Sequence, residues 1–275
     1  MKIAFIGGGN MATALIAGLA KELGAGAQVH VVDPNAEALA KFAAQYGAKY
    51  GATTAHTIDA AVAACEVVVL AVKPQQMRDV AAALAPHLGA APLVLSIAAG
   101  IRSADLSRWL GGYGAIVRTM PNTPALIGMG ITGMVATSGV SEAQRAAADS
   151  VMRAVGKTVW LDREDLIDPV TAVSGSGPAY VFYFLEAMQA AAVEMGLDPE
   201  QGKELALATF AGAAELAAQS PEPLEVLRQR VTSKGGTTYA AITSMEAAGV
   251  KPAIMAAMKA AAARGRELGD ELGAG

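Results

Sequence analysis

Cysteine is almost absent from this 275-residue sequence, in which Cys65 stands alone. A single thiol excludes an intramolecular disulfide and a cysteine-cluster metal site, and it fits a reducing compartment. Histidine is nearly as scarce. His30, His56 and His87 are scattered and show neither H-x-x-E-H nor H-x-E spacing, so no metal site is expected. Charged residues make up only 17% of the chain, with a net charge of -4 and no basic cluster, so a nucleic-acid partner is not expected. Long uninterrupted apolar runs are missing too. The stretch 80–101 contains Pro86 and Pro92, and the stretch 119–140 contains Pro121, Pro124 and four glycines, so neither reads as one membrane-spanning helix. The opening run Met1-Lys2-Ile3-Ala4-Phe5-Ile6 is too short for a signal peptide and stops at Gly7-Gly8-Gly9-Asn10. The expected compartment is the cytoplasm.

Apolar residues fill the space that charge leaves, at 53% of the chain with much of the excess alanine. That mix suits a helix-rich protein with extensive buried or subunit-facing surface and does not suit disorder. Over the first part of the chain, short apolar runs at 2–6, 28–33, 66–71, 93–96, 115–120, 131–137 and 158–161 read as strands. Helical patterns lie between them at 11–23, 36–46, 58–64, 75–84, 103–110 and 142–155. Such alternation predicts a Rossmann-type, doubly wound, mostly parallel α/β sheet covered on both faces. Beyond residue 163 strand signals cease, and helices are expected at 178–195, 199–219, 223–230, 239–248 and 252–272. The expected domains are therefore 1–163, for a dinucleotide, and 164–275, all helical. The acidic run Glu164, Asp165 and Asp168 reads as a solvated boundary or helix start. Segments 180–185 and 205–211 are apolar around the whole helix, more than about 110 residues bury easily alone, which implies a subunit interface.

The run from Ile3 to Ala12 fits G-x-G-x-x-A at a strand–turn–helix junction. There Gly7 makes the tight turn, Gly9 lets backbone approach a pyrophosphate, and Ala12 lets helix and strand pack closely. The next strand ends at Asp33, with Asn35 and no arginine close behind. A carboxylate there binds adenosine ribose hydroxyls and favours NADH over NADPH; the competing reading is a turn residue before Pro34. Further ligand-friendly loops follow strand ends at 71–75, 96–100 and 120–124. Near the other end, Val231-Thr232-Ser233-Lys234-Gly235-Gly236-Thr237-Thr238-Tyr239 places two glycines and four hydroxyls before a helix. Free N–H groups there make a seat for a small carboxylate; the competing reading is a Thr N-cap. No Ser/His/Asp or Cys–His arrangement is present, and Ser174-Gly175-Ser176-Gly177 precedes a helix with no strand before it. Hydride transfer to an already electrophilic carbon needs neither strong base nor nucleophile.

These motifs together resemble the pyrroline-5-carboxylate reductase family. The resemblance is carried by GGGNMA, AVKPQ at 71–75, SIAAG at 96–100, VRTMPNTPALIG at 117–128, SGSGPAYVFYFLEAM at 174–188 and VTSKGGTT at 231–238. It implies reduction of 1-pyrroline-5-carboxylate to L-proline with NADPH or NADH, the last step of proline biosynthesis. It also implies a helical domain that dimerises, with pentamers of dimers beyond. Carried onto this chain, the resemblance gives the pyrophosphate Ile6, Gly7, Gly8, Gly9, Asn10 and Met11. Ala71, Lys73 and Pro74 then line the cofactor cleft, and Ser96, Ala98, Ala99 and Asn122 border the nicotinamide. Ser233, Gly235, Gly236, Thr237 and Thr238 hold the substrate, with the Thr238 hydroxyl on its ring nitrogen as the catalytic contact. The chain departs from the pattern at His56-Thr57-Ile58, where many members carry Asn, so no adenosine contacts are assigned there. It departs again at Lys234, where many carry Pro. Two rivals stay open: a related imine or 2-oxo acid reductase, which would not need the GGTT loop, and a non-catalytic nucleotide-binding sensor.

Overall fold

The computed structural model describes residues 1–23, 28–47, 51–88 and 92–274. Residues 89–91 of the 80–101 stretch and the final residue of the expected second domain lie outside the described residues. The chain separates into two compact units, Met1–Ser176 with Ala260–Gly275, and Gly177–Lys259. This division by compactness differs from the sequence division at 163/164 because residues 164–176 and the end of the last helix both group with the first unit.

In the first unit the strands are β1 (Lys2–Ile6), β2 (Gln28–Val32), β3 (Thr53–Ala55), β4 (Val67–Leu70), β5 (Leu93–Ser96), β6 (Ile116–Met120), β7 (Gly130–Ala136) and β8 (Gly156–Trp160). Interleaved helices are α1 (Asn10–Leu23), α2 (Ala36–Phe42), α3 (Ala60–Ala63), α4 (Met77–Leu84), α5 (Ser103–Trp109), α6 (Glu142–Arg153) and α7 (Ile167–Val170). The sheet order is β3-β2-β1-β4-β5-β6-β7-β8, parallel throughout except where β7 runs against β6. The α/β expectation holds. Alternate residues of β1 serve the two faces: Ile3 and Phe5 pack under α1, α2 and α6, while Ala4 and Ile6 pack under α3, α4 and α5. The order reverses direction between β1 and β4, the place where such sheets take ligands.

Local differences from the sequence reading have physical causes. Strand β3 was not expected, because three residues at a sheet edge carry no alternation; its pairing with β2 supplies the order. Helix α2 ends at Phe42 and continues as a π-helical turn over Ala43–Gly47. Helix α3 is only four residues, capped by the Asp59 carboxylate on the Ala61 N–H. Of the two readings of the acidic run, the helix start holds: Glu164 opens a 3₁₀ turn over Glu164–Leu166, and its carboxylate is engaged rather than free in solvent. Its Oε1 accepts from the buried Arg118 guanidinium at 2.9 Å and from the Ser103 N–H at 2.7 Å, closing the start of α5.

The second unit holds α8 (Gly177–Glu194), α9 (Pro199–Gln219), α10 (Leu224–Arg230), α11 (Thr237–Ala247) and the first turns of α12 (Val250–Gly273). Asp198 caps α9 in a capping box with Gln201, as the Asp-Pro-Glu-Gln pattern dictates. Helices α8 and α9 approach closely where Gly202 faces Ala192: a methyl on Gly202 would stand 3.0 Å from the Ala192 methyl. Almost nothing else on them is covered in one protomer; Phe182 is 59% and Tyr183 73% exposed. No helix among the described residues is long and apolar enough to cross a membrane.

Candidate functional site

The cofactor end is built by the turn after β1. Gly7 sits at φ +102°, and a Cβ on it would lie 2.7 Å from the Ala71 carbonyl oxygen, so only glycine fits this crossing of β1 and β4. Its N–H donates to the Val32 carbonyl at 2.8 Å, and the Ala71 N–H donates to the Ile6 carbonyl at 2.8 Å. Gly9 is the opposite case: a Cβ there would meet nothing within 4 Å, which leaves one backbone face open. The first helical bond of α1 runs from the Thr13 N–H to the Gly9 carbonyl at 2.9 Å. The N–H groups of Asn10, Met11 and Ala12 therefore have no helical carbonyl to reach and lie at the positive end of the helix dipole. Ala12 is buried, as close packing of α1 on the sheet requires.

Asp33 is fixed by two backbone donors. Its Oδ2 accepts the Gly8 N–H at 2.7 Å and its Oδ1 accepts the Asn35 N–H at 2.8 Å. The second bond is the turn role; the first ties the carboxylate to the glycine turn. Asn35 in turn caps α2, accepting from Glu37 and Ala38 N–H groups.

A cleft of about 900 Å³ runs along these strand ends. It brings together Ile6, Gly7, Gly9, Asp33, Ala71 and Lys73. His56, Thr57 and Ile58 also line it, together with Gln76, Asp79, Val80 and Ala83 before and on α4. Those latter residues escaped the sequence reading; the signal available was that 79, 80 and 83 share one helical face just beyond a strand-end loop. Gly8 lines the smaller hollow on the other side of Asp33. Asn10 and Met11 lie on the first turn of α1, and Pro74 opens a short 3₁₀ turn after Lys73. An open Gly9 face, a free helix start and a carboxylate at the end of β2 fit a dinucleotide.

Ser96, Ala98, Ala99 and Asn122 do not line this cleft; they stand further along the same sheet edge, after β5 and β6. The Ser96 carbonyl accepts the Thr119 hydroxyl at 3.0 Å. Asn122 spends its carboxamide inside the protein: its NH₂ donates to the Ser174 carbonyl at 3.2 Å and its Oδ1 accepts the Ile131 N–H at 3.0 Å.

The second unit carries the other loop. Helix α10 ends in a turn in which the Thr232 hydroxyl donates to the Arg228 carbonyl at 2.7 Å. Gly235 adopts φ +76°, and the Gly236 N–H closes on the Ser233 carbonyl at 3.0 Å. A Cβ on Gly236 would stand 2.7 Å from Ser233 Oγ, so the serine hydroxyl would have to turn away to admit a side chain there. Helix α11 begins at Thr237, two residues earlier than expected, and its N-cap is Gly236, which offers no capping side chain. The Thr N-cap reading therefore fails. The first helical bond joins the Ala240 N–H to the Gly236 carbonyl at 3.1 Å, leaving the N–H groups of Thr237, Thr238 and Tyr239 without a helical partner. The flanking arginines are already paired, Arg228 with Glu246 and Arg230 with Glu222. Backbone N–H groups, hydroxyls and the helix dipole are thus what this loop offers an anion.

Known proteins resemble the chain along its length. The family model described as pyrroline-5-carboxylate reductase dimerisation matches residues 164–268. That described as NADP oxidoreductase coenzyme F420-dependent matches residues 2–100. The chain is 48% identical over 273 residues to a pyrroline-5-carboxylate reductase of Pseudomonas aeruginosa, covering 99% of this chain and 98% of that one. The corresponding protein of Haemophilus influenzae is 44% identical over 267 residues, 97% of each chain. Among solved structures, a pyrroline-5-carboxylate reductase from Coxiella burnetii superposes with a TM-score of 0.88 at 39% identity, covering 97% of both chains. A Plasmodium falciparum pyrroline carboxylate reductase with NADP bound gives 0.83 at 28% identity over 98% of both.

Proposed function

This chain belongs to the pyrroline-5-carboxylate reductase family, and we propose that its two loops divide the reaction between cofactor and substrate. The protein is an NAD(P)H-dependent oxidoreductase that reduces 1-pyrroline-5-carboxylate to L-proline, the last step of proline biosynthesis, and it works as a homo-oligomer. The observation that carries the division of roles is the helix start at Gly236, which lacks a cap side chain and leaves three N–H groups without a helical partner.

In this reading the turn Ile6–Met11 and the cleft residues Ala71, Lys73 and Pro74 hold the dinucleotide, with Asp33 on the adenosine ribose. A reduced nicotinamide bound there would supply a hydride. The loops carrying Ser96, Ala98, Ala99 and Asn122 present small side chains and backbone to its ring. Ser233, Gly235, Gly236 and Thr237 seat the substrate carboxylate on backbone N–H groups. The Thr238 hydroxyl oxygen accepts the N–H of the protonated imine and so fixes the orientation of its C=N carbon. The nitrogen held by that hydroxyl would keep its proton when the C=N carbon is reduced, and would become the amine of proline. No side chain has to exchange a proton in that step. Orientation carries the rate, and it can supply up to ~7–11 kcal/mol.

The working domains are 1–163 and 164–275, the compartment is the cytoplasm, and the assembly is a dimer repeated to a pentamer of dimers. The exposed apolar faces of α8 and α9 support the dimer. Substituting the two threonines tests the substrate assignment. Thr238→Ala should lower kcat/KM for the imine roughly ten- to a hundredfold, one site hydrogen bond of ~1–3 kcal/mol, with cofactor affinity unchanged. Thr237→Ala should do much less, because its contribution is its N–H. Equal kinetic losses at both positions, or a change in melting temperature alone, would remove the hydroxyl from the mechanism.

A further inference from the structure

The last turns of α12 return to the first unit and close on the loop that leaves β5. Gly100 turns that loop at φ +76°, and a methyl on it would stand 3.0 Å from Leu272 Cδ1. Leu272 packs on the buried cluster to which Ala98 and Ile101 belong, so one side chain reaches both the loop's turn and the cluster that anchors the loop. Arg102, which follows, is held twice by the helix: its Nη1 pairs with Asp270 at 2.7 Å and its Nη2 donates to the Arg266 carbonyl at 3.2 Å. Gly269 lies flat beneath that guanidinium, where a Cβ would come within 3.0 Å of Nε. At the next residue, the Ser103 N–H is tied to Glu164. A surface loop between a strand and a helix needs none of these long-range ties merely to connect its elements.

We propose that the C-terminal turns of α12 position the 97–102 loop, through Leu272 and Arg102, so that the loop seats the nicotinamide half of the cofactor. The inference rests on the reading that the dinucleotide crosses the β1/β4 switch point, with adenosine toward Asp33 and nicotinamide toward β5. Neither residue touches the reacting atoms in this account; both act through Gly100 and its neighbours.

Comparing NADH with ADP-ribose isolates the effect, because ADP-ribose lacks only the nicotinamide. Binding of both ligands is measured by calorimetry on the full-length protein and on Leu272→Ala and Arg102→Gln. ADP-ribose affinity should stay within about twofold, while NADH affinity should fall about three- to tenfold, up to ~1.4 kcal/mol. Catalysis at saturating NADH should drop about tenfold, within the ~10²-fold cost of a ~1 Å misplacement. Arg102→Lys, which can still reach Asp270, should recover most of the NADH affinity. Equal weakening of both ligands, or unchanged binding with only a lower melting temperature, would overturn the proposal. An unsubstituted protein that binds NADH no tighter than ADP-ribose would overturn the underlying reading of the loop, and the proposal with it. An unsubstituted protein that discriminates the two ligands while both variants keep that discrimination would overturn the proposal alone.

Discussion

Asp33 should decide which nicotinamide cofactor this enzyme prefers. Both carboxylate oxygens are pinned by backbone N–H groups, at 2.7 Å to Gly8 and 2.8 Å to Asn35, so the charge cannot swing out of the cleft. A 2′-phosphate placed about 5 Å away would meet it with ~0.8 kcal/mol of repulsion per unit charge in water and ~3 kcal/mol at an effective dielectric of ~20. Hydrogen bonds from ribose hydroxyls to a carboxylate add roughly 1.5–3 kcal/mol to NADH binding alone. Taking the low end of the first term and part of the second, Asp33→Ser should raise the NADPH/NADH ratio of kcat/KM at least about tenfold, ~1.4 kcal/mol. The unsubstituted enzyme should use NADH at least as efficiently as NADPH. Asp33→Asn, which keeps an acceptor oxygen for the turn, separates charge from turn geometry and should shift the ratio in the same direction. The repulsive part should shrink as salt rises from about 0.01 to 0.15 M. Steady-state oxidation at 340 nm with each cofactor reads all of this. A ratio unmoved by either substitution would mean that Asp33 only holds the turn before Pro34.

Three other outcomes follow from packing and charge. Burial works against the Asp149 carboxylate, but bonds from the Thr158 hydroxyl, Arg153 and the Trp160 indole outweigh it and hold its pKa below the ordinary carboxylate value. A depressed folded pKa stabilises above the unfolded value near ~4 and is lost as pH falls through the folded one. Asp149→Asn should therefore cost about 1–2 kcal/mol at pH 7 in urea unfolding, with the deficit disappearing in acid. Glu164→Ala should cost near the low end of ~3–5 kcal/mol because it strands the buried Arg118 guanidinium, whereas Arg118→Met with Glu164→Ala together should cost less than the sum, as a double-mutant cycle will read. Light scattering at micromolar concentration should find an oligomer, since α8 and α9 leave Phe182, Tyr183 and Leu205 open in one protomer; a compact, active monomer would contradict that.

Features dictated by local backbone chemistry were legible in the sequence. The Gly7-Gly8-Gly9 turn, the second strand and the Asp198 capping box each declare themselves within about ten residues; the turn and the box are where expected, and the strand ends one residue early, at Val32, just before Asp33. The doubly wound sheet was legible because strands covered on both faces are apolar along their length. What escaped depends on partners far away in the chain. Thr53–Ala55 is a strand only because β2 lies beside it. Glu164 looked like one of three exposed acids, and nothing near it announces that Arg118 and Ser103 await it. The start of α11 slipped by two residues because its cap is Gly236, which carries no capping side chain to mark the position. The return of α12 onto Gly100 and Arg102 joins residues more than 160 positions apart, beyond any periodicity or motif.

On the proposed reading, the glycine turn serves the cofactor and the Gly235–Thr238 loop the carboxylate of a cyclic imine in one reduction. Oxidation of NADH and NADPH followed at 340 nm with 1-pyrroline-5-carboxylate tests it most directly, with a carboxylate-free pyrroline as comparison substrate. L-proline should form stoichiometrically, and the pyrroline that lacks the carboxylate should show a much lower kcat/KM. Tight cofactor binding with no oxidation on adding 1-pyrroline-5-carboxylate would contradict it.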